Sequence, residues 1–365
     1  MSDRTGSKAC RAGSSGIRRG EAVAGWVFTA PVVIILGVFL LIPVVMALWV
    51  SFSDWGGRGS PLSGRVNFVG FDNYTDLLFE SGLGARDFGT AIKNNFWYVV
   101  LVVPLQTALS LFLAVLVNNA VLKGRGFFRT AFYFPSVTSS VAITVLWLFL
   151  FTGSGVINQI LAWFGVHGPN WFNDPTGVGH ALLANLGIEQ GPEFLTSHGF
   201  LNVSWWDWLS GPSMAMTALI LMAVFTTSGT MMLLFLAGLQ NVGHDVHEAA
   251  MIDGATAWQR FWKVTLPLLR PTLFTVITLG LIGCWQVFDQ IYTGTAGDPA
   301  KTTLTPAYLS YSRAFRQQEW GQGAAMAFIL FFIIVIFTAF QRWLLRERTP
   351  KQPKEKRKPA AEGAR

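Results

Sequence analysis

The sequence predicts an all-α polytopic membrane protein with six transmembrane helices, and three observations carry that reading. The 365 residues are 52% hydrophobic and only 13% charged, with a positive mean hydropathy, which is too apolar for a soluble globular chain. Six apolar runs, at about 25–51, 95–118, 130–152, 212–238, 272–293 and 322–344, reach the roughly 20 residues that cross about 30 Å of hydrocarbon. The basic residues are also partitioned. If the N-terminus is cytoplasmic, 20 of the 27 Lys and Arg fall in inside segments, which places both termini in the cytoplasm of a multi-pass cell-membrane protein. The net charge of +7 is then accounted for by segments at an anionic inner leaflet, with no nucleic acid required.

Taken in order, residues 1–24 are rich in Gly, Ser and Arg and read as a disordered cytoplasmic tail. The run from Gly25 to Val50 is far longer than a signal-peptide core and reads as an uncleaved first helix, with Pro43 predicted to kink it. External segments follow at 52–94, 153–211 and 294–321. Within the second, Trp205, Trp206 and Trp208 sit just before the fourth apolar run. An interfacial aromatic belt, a sugar-stacking platform and a docking surface for an external protein all fit them. Residues 346–365 form a basic cytoplasmic end.

The segment at 240–271 is the long polar stretch between two apolar runs in the C-terminal half. Asp245 with Glu248, and Thr256 with Gln259, are capping-box patterns that each predict a helix start. Gly254 lies between them, where a positive φ would turn the chain. Leu266-Pro267 predicts the end of the second helix, since a residue before proline is pushed out of the helical region. Trp258, Phe261, Trp262 and Thr265 fall at helical spacing, a stripe expected to pack inward and leave the first helix facing outward.

This segment resembles the signature cytoplasmic loop of permease subunits in binding-protein-dependent ABC importers. That loop reads Glu-Ala-Ala, three residues, Gly, nine residues, an aliphatic residue, any residue, Leu-Pro, matched here by Glu248-Ala249-Ala250, Asp253-Gly254 and Val264-Thr265-Leu266-Pro267. The sugar-importing branch is echoed by Ser51-Phe52-Ser53-Asp54-Trp55, by Phe68-Val69-Gly70 with Asn73-Tyr74, by Phe134-Pro135-Ser136 and by Phe235-Leu236-Ala237-Gly238-Leu239. It appears again in Phe288-Asp289-Gln290-Ile291-Tyr292 and in Thr295 to Pro299, where Asp298 replaces a family Gly. The likeness covers roughly 25–345 and is broken mainly between Thr176 and Ser210.

The resemblance implies the type I permease fold, alternating access and import of a sugar or a sugar-like solute such as glycerol phosphate. It implies four kinds of partner: a second homologous permease in a heterodimer, a cytoplasmic ATPase dimer, an extracytoplasmic solute-binding protein, and membrane lipid. The coupling residues would be Glu248, Ala249, Ala250, Asp253, Gly254, Val264, Leu266 and Pro267, and the solute path Gly229, Trp285, Gln286, Asp289 and Tyr292. Polar groups at membrane depth normally face a cavity or a partner, yet Asp289 also reads as solvated near an interface and Trp285 as helix packing. The phosphate-cradling loop of P-loop ATPases does not occur, so ATP and Mg are expected on a partner ATPase, with no cofactor, metal or catalytic residue in this chain. Cys10 and Cys284 lie too far apart in the pattern to form a disulfide framework. An ion-coupled carrier, or an importer of a non-sugar solute, is the alternative. A carrier calls for several ionisable residues at mid-membrane, where this chain offers chiefly Asp289.

Overall fold

The computed structural model describes residues 13–118, 123–188 and 191–344, and its long elements are helices. The chain opens with α1 (Gly13–Leu36) and α2 (Ile42–Ser51), joined through a π turn at Gly37–Leu41 into one span. Its helix begins at Gly13, ahead of the expected Gly25. The expected kink at Pro43 is absorbed by the π turn, in which the Ile42 N–H reaches five residues back to the Gly37 carbonyl. The wider turn makes room at the point where proline lacks a donor. After α3 (Asp72–Leu78), the long α4 (Leu83–Asn118) forms the second span, much of it buried.

The third apolar run is broken. α5 (Arg125–Val137) and α6 (Ser140–Leu150) meet at 97° across an extended Thr138-Ser139, where a single straight span was expected. The cause lies in the sequence Pro135-Ser136-Val137-Thr138-Ser139-Ser140, whose hydroxyls offer the backbone alternative partners. Thr138 Oγ1 donates to the Phe134 carbonyl at 3.0 Å, and Ser136 Oγ donates across to the Thr226 carbonyl at 2.7 Å.

Outside the spans, α7 (Val156–Trp163), α8 (Val178–Asn185), α9 (Glu193–Ser197), the hairpin β1 (Gly199–Phe200) with β2 (Val203–Ser204), and α10 (Trp205–Leu209) make a small cap. Its tryptophans serve partly as fasteners. Trp206 stacks on His180 with ring centroids 4.6 Å apart, and Trp97 Nε1 donates to the Trp208 carbonyl at 2.9 Å, tying the cap to α4.

The fourth span is α11 (Met214–Gln240), packed along α4. Beyond it come α12 (His244–Ile252), α13 (Ala257–Arg260), a π turn at Phe261–Thr265, α14 (Leu266–Leu268) and α15 (Arg270–Trp285). Last are α16 (Pro306–Tyr311) and α17 (Trp320–Leu344), the sixth span. Phe88, Met216, Leu219, Trp285 and Met326 form the main core where α4, α11, α15 and α17 meet. Burying each such side chain is worth roughly 1.5–3 kcal/mol in water. Within lipid, close packing and internal hydrogen bonds hold the helices together instead.

Candidate functional site

Two features stand out, a helical hairpin at one end of the bundle and a cavity among the spans into which several polar side chains reach. In the hairpin, α12 is capped by Gly243 in extended conformation without a side-chain bond. The expected capping box from Asp245 to Glu248 therefore does not form. The helix starts one residue before Asp245, which falls in the first turn, where a carboxylate meets the positive end of the helix dipole. α12 ends in a Schellman motif: the Ala255 N–H bonds the Ala250 carbonyl and the Gly254 N–H bonds that of Met251, both at 3.0 Å. Gly254 has φ +75°, the left-handed conformation expected of it, and open space where a Cβ would stand. The second capping box is present, with Gln259 N–H on Thr256 Oγ1 at 3.3 Å and Thr256 N–H on Gln259 Oε1 at 3.0 Å.

Helix does not end at Pro267. Leu266 stays helical because its N–H reaches back to the Phe261 carbonyl through a second π turn, and the 68° bend comes instead at Leu269. The π turn adds a residue to the helix repeat and so rotates the aromatic stripe. Thr265 is buried and Phe261 half-buried, whereas Trp258 is 70% exposed and Trp262 also faces out, contrary to the inward packing expected of both. Val264, Leu266 and Pro267 are half-buried, and Leu269 is held in a core with Phe235, Leu236 and Leu239. The hairpin is thus anchored at its rear. Its front is α12, where Asp245, Glu248, Ala249, Ile252 and Asp253 share one face at i, i+3, i+4, i+7 and i+8, all exposed, Ile252 to 87%. Ala250 is half-buried behind them.

The cavity forms where the fifth apolar run breaks. α15 ends at Trp285, and Gln286 to Phe288 are non-helical. The carbonyls freed there are met by two fully buried side chains: Asn95 Nδ2 donates to Trp285 O and Thr305 Oγ1 to Val287 O, both at 3.2 Å. Such partners permit irregular backbone at membrane depth. Beside the break lies a cavity of about 290 Å3 lined by Gln106, Thr227, Gln286, Asp289 and Gln290. A second cavity, also about 290 Å3, shares Thr227, Met231 and Gln290 with it and extends along Ser136 and Ser140 to the bend in the third span.

Gln106 is the residue the sequence reading missed. It is fully buried on α4, its Oε1 accepts from Thr227 Oγ1 at 2.6 Å, and its Nε2 has no partner among the described residues. Gly280 makes the room, since a Cβ there would come within 2.1 Å of that Nε2. Ser140 Oγ in the second cavity is likewise buried without a partner among the described residues. Of the residues expected on a solute path, Gln286 and Asp289 line the first cavity. The other three do not line it, and Tyr292 is exposed. Trp285 is buried against Phe337, and Gly229 lets the α5 backbone cross α11 closely, a Cβ there coming within 2.4 Å of Phe132 O. Tyr292 joins Phe288, Tyr308 and Tyr311 in an aromatic cluster, with the Arg316 guanidinium 5.9 Å from its ring.

A helical bundle with a solute-sized cavity at a broken span, lined by apolar and hydrogen-bonding side chains, and an exposed two-helix hairpin at one end, defines the class as a membrane permease. Residues 106–349 match the family described as binding-protein-dependent transport system inner membrane component, and the chain belongs to that family. The lactose transport system permease protein LacF of Rhizobium radiobacter is 31% identical, covering 92% of this chain and 98% of that protein. The arabinooligosaccharides transport system permease protein AraP of Halalkalibacterium halodurans is 30% identical, covering 89% and 88%. Among solved structures, a chain from a bacterial ABC transporter involved in the import of the acidic polysaccharide alginate superposes with a TM-score of 0.67 at 20% identity. It covers 92% of this chain and 99% of that one, so the fold is shared.

Proposed function

We propose that this chain is the membrane-spanning subunit of an ATP-driven importer of sugars. It forms half of a pore with a second homologous permease and is moved by a cytoplasmic ATPase dimer that binds ATP and Mg. The observation that carries the ATP-driven reading is the exposed front of α12. A helix end that presents Ile252 and Ala249 to solvent between the carboxylates of Asp245, Glu248 and Asp253 is built for an apolar groove with basic rims on another subunit. A short helix so placed transmits rigid-body motion across a subunit boundary. The buried rear of the hairpin passes that motion into α11 and α15, on which the cavity lies.

Sugar as the solute is supported by the relatives, named for lactose and arabinooligosaccharides, and by the cavity, where Gln106, Thr227, Gln286 and Asp289 offer hydrogen bonds beside Tyr98 and Phe288. A sugar ring needs both kinds of contact. An external binding protein as the source of solute is supported by a structural neighbour solved in complex with an alginate pentasaccharide-bound periplasmic protein. With its binding protein present, the assembled importer is expected to take up labelled lactose, maltose or an arabino-oligosaccharide. Uptake of amino acids with none of these sugars would overturn the solute class.

The orientation is proposed from the basic residues, with both termini and the hairpin in the cytoplasm. A membrane-impermeant thiol reagent on intact cells should label a Thr196→Cys variant and leave native Cys10 and a Lys354→Cys variant unlabelled. Labelling of Cys10 from outside would reverse the topology.

A further inference from the structure

At the end of the first span, two cavities meet at a single indole. One, of about 510 Å3, is polar and is lined by Asp54, Arg58, Ser60, Ser63, Arg65 and Gln318. The other, of about 500 Å3, is an apolar groove lined by α2, α17 and the segment from Ala307 to Phe315 that includes most of α16. Trp55 lines both. Its ring lies 5.3 Å from that of Trp320, and its Nε1 is buried without a partner among the described residues.

Small side chains line the groove on both helices, Pro43 and Ala47 on α2 and Gly323, Ala324 and Ala327 on α17, beside the rings of Phe288, Tyr311 and Phe315. It runs from the Trp55–Trp320 pair down to Pro43 and Ala327, seven to eight residues of helix on either wall, or about 10 Å at 1.5 Å per residue. That is most of the roughly 15 Å hydrocarbon depth of one leaflet. The indoles sit at its mouth, as amphipathic rings do at headgroup level. Beyond them the polar cavity carries two guanidiniums against one carboxylate. Arg58 Nη2 donates to Gln318 Oε1 at 3.2 Å, and Asp54 already accepts from the Asn67 backbone at 2.7 Å and side chain at 2.9 Å. The cavity therefore presents positive charge and spare donors.

An apolar slot most of a leaflet deep, a pair of indoles at its mouth and a cationic pocket above it together match one kind of molecule. We propose that this site binds one anionic phospholipid of the leaflet bordering segment 52–94. Its acyl chain lies in the groove along α2 and α17, its glycerol backbone packs at the Trp55 and Trp320 rings, and its phosphate sits at Arg58 and Arg65. Such a lipid adds to the contact of the first span with the sixth at its Val50–Ser51 end, which is buried, while the stretch before it is exposed along most of its length. The leaflet is defined by the segment beside it, so the proposal holds for either orientation of the chain.

The test is native mass spectrometry of the importer assembled with its partner subunits, delipidated and titrated with phosphatidylglycerol or phosphatidylcholine. The wild type should retain phosphatidylglycerol preferentially. Arg58→Gln with Arg65→Gln should lose that preference by about tenfold, and Arg58→Lys with Arg65→Lys should keep it. Ala324→Trp, which fills the slot, should abolish retention with the arginines intact, and inorganic phosphate alone should not compete. Equal retention by the wild type and the double Gln variant would overturn the proposal. So would retention undiminished in Ala324→Trp, which points to a headgroup site alone, or lipid bound only when the second permease is absent, which makes the groove a seat for a helix of that subunit.

Discussion

Glu248→Lys and Gly254→Val should each abolish solute-stimulated ATP hydrolysis by the assembled importer while leaving all six spans inserted. The two variants fail for different physical reasons. Glu248 lies a full turn inside a helix that Gly243 caps, so its substitution removes no cap from α12. Glu248 is exposed instead on the face of α12 proposed above to meet the ATPase. Losing a buried charged contact at an interface costs about 2–5 kcal/mol when the partner group stays unpaired, a weakening of about 30-fold or more. Reversing the charge adds repulsion, whereas Glu248→Gln removes charge with little change of shape and should give an intermediate defect.

Gly254 acts through the backbone. Its φ of +75° closes the Schellman motif, and nothing lies within 4 Å of a Cβ there, so the cost of a side chain is conformational strain and not crowding. That cost is about 1–2 kcal/mol for an ordinary residue and more for a β-branched one. Valine should therefore reset the angle between α12 and α13, while Gly254→Asn, which tolerates the left-handed region, should retain most activity. Pull-down of the ATPase and transport assays check both. Normal pull-down and transport by Glu248→Lys and Gly254→Val would reduce the hairpin to local scaffolding.

The second large effect is expected in the cavity. Gln106→Leu with Asp289→Asn should lower solute uptake by up to about 100-fold, two hydrogen bonds at roughly 0.5–1.5 kcal/mol each, with assembly and basal ATP hydrolysis retained. Gln106 makes the test decisive. Its Nε2 is buried without a partner among the described residues, and Thr227 Oγ1 keeps a second acceptor in the Ala223 carbonyl at 2.7 Å. Replacing the amide with leucine therefore leaves no buried donor stranded and should be neutral or stabilising for the fold. A loss of uptake with full assembly assigns the amide to the solute. Unchanged uptake would show that the cavity is not on the path.

Much of this architecture is legible in the residue pattern, and the gaps have identifiable causes. Apolar run length placed the fourth and sixth spans within a few residues, because the bilayer imposes a minimum that few other structures mimic, whereas α4 begins at Leu83, ahead of the expected 95, and α15 ends at Trp285, short of the expected 293. The 97° bend in the third was not legible as apolarity, since Val, Ile and Leu continue through it; the signal was the hydroxyl run from Ser136 to Ser140. Thr256 and Gln259 read correctly because no neighbour competes for the helix start. Asp245 and Glu248 fit the same pattern, yet Gly243 two residues earlier took the cap. Pro43 and Pro267 misled in the same way. In each case a π turn placed just before the proline keeps the helix going, a device with no fixed residue signature. At the cavity, Gln286 and Asp289 were visible as polar residues at membrane depth, and Gln106 carries the same signal in the second span. Whether such a residue faces a cavity or a neighbour depends on which helices meet it, and that is a tertiary fact.

The central claim is that ATP hydrolysed on another subunit drives solute through this chain. Its most direct test is uptake into proteoliposomes, comparing this chain alone with the chain assembled with the second permease, the ATPase dimer and a solute-loaded binding protein. The account predicts no uptake by the chain alone under any ion or proton gradient, and ATP-dependent accumulation only by the full assembly. Gradient-driven accumulation by the chain alone would contradict it and make the protein an ion-coupled carrier.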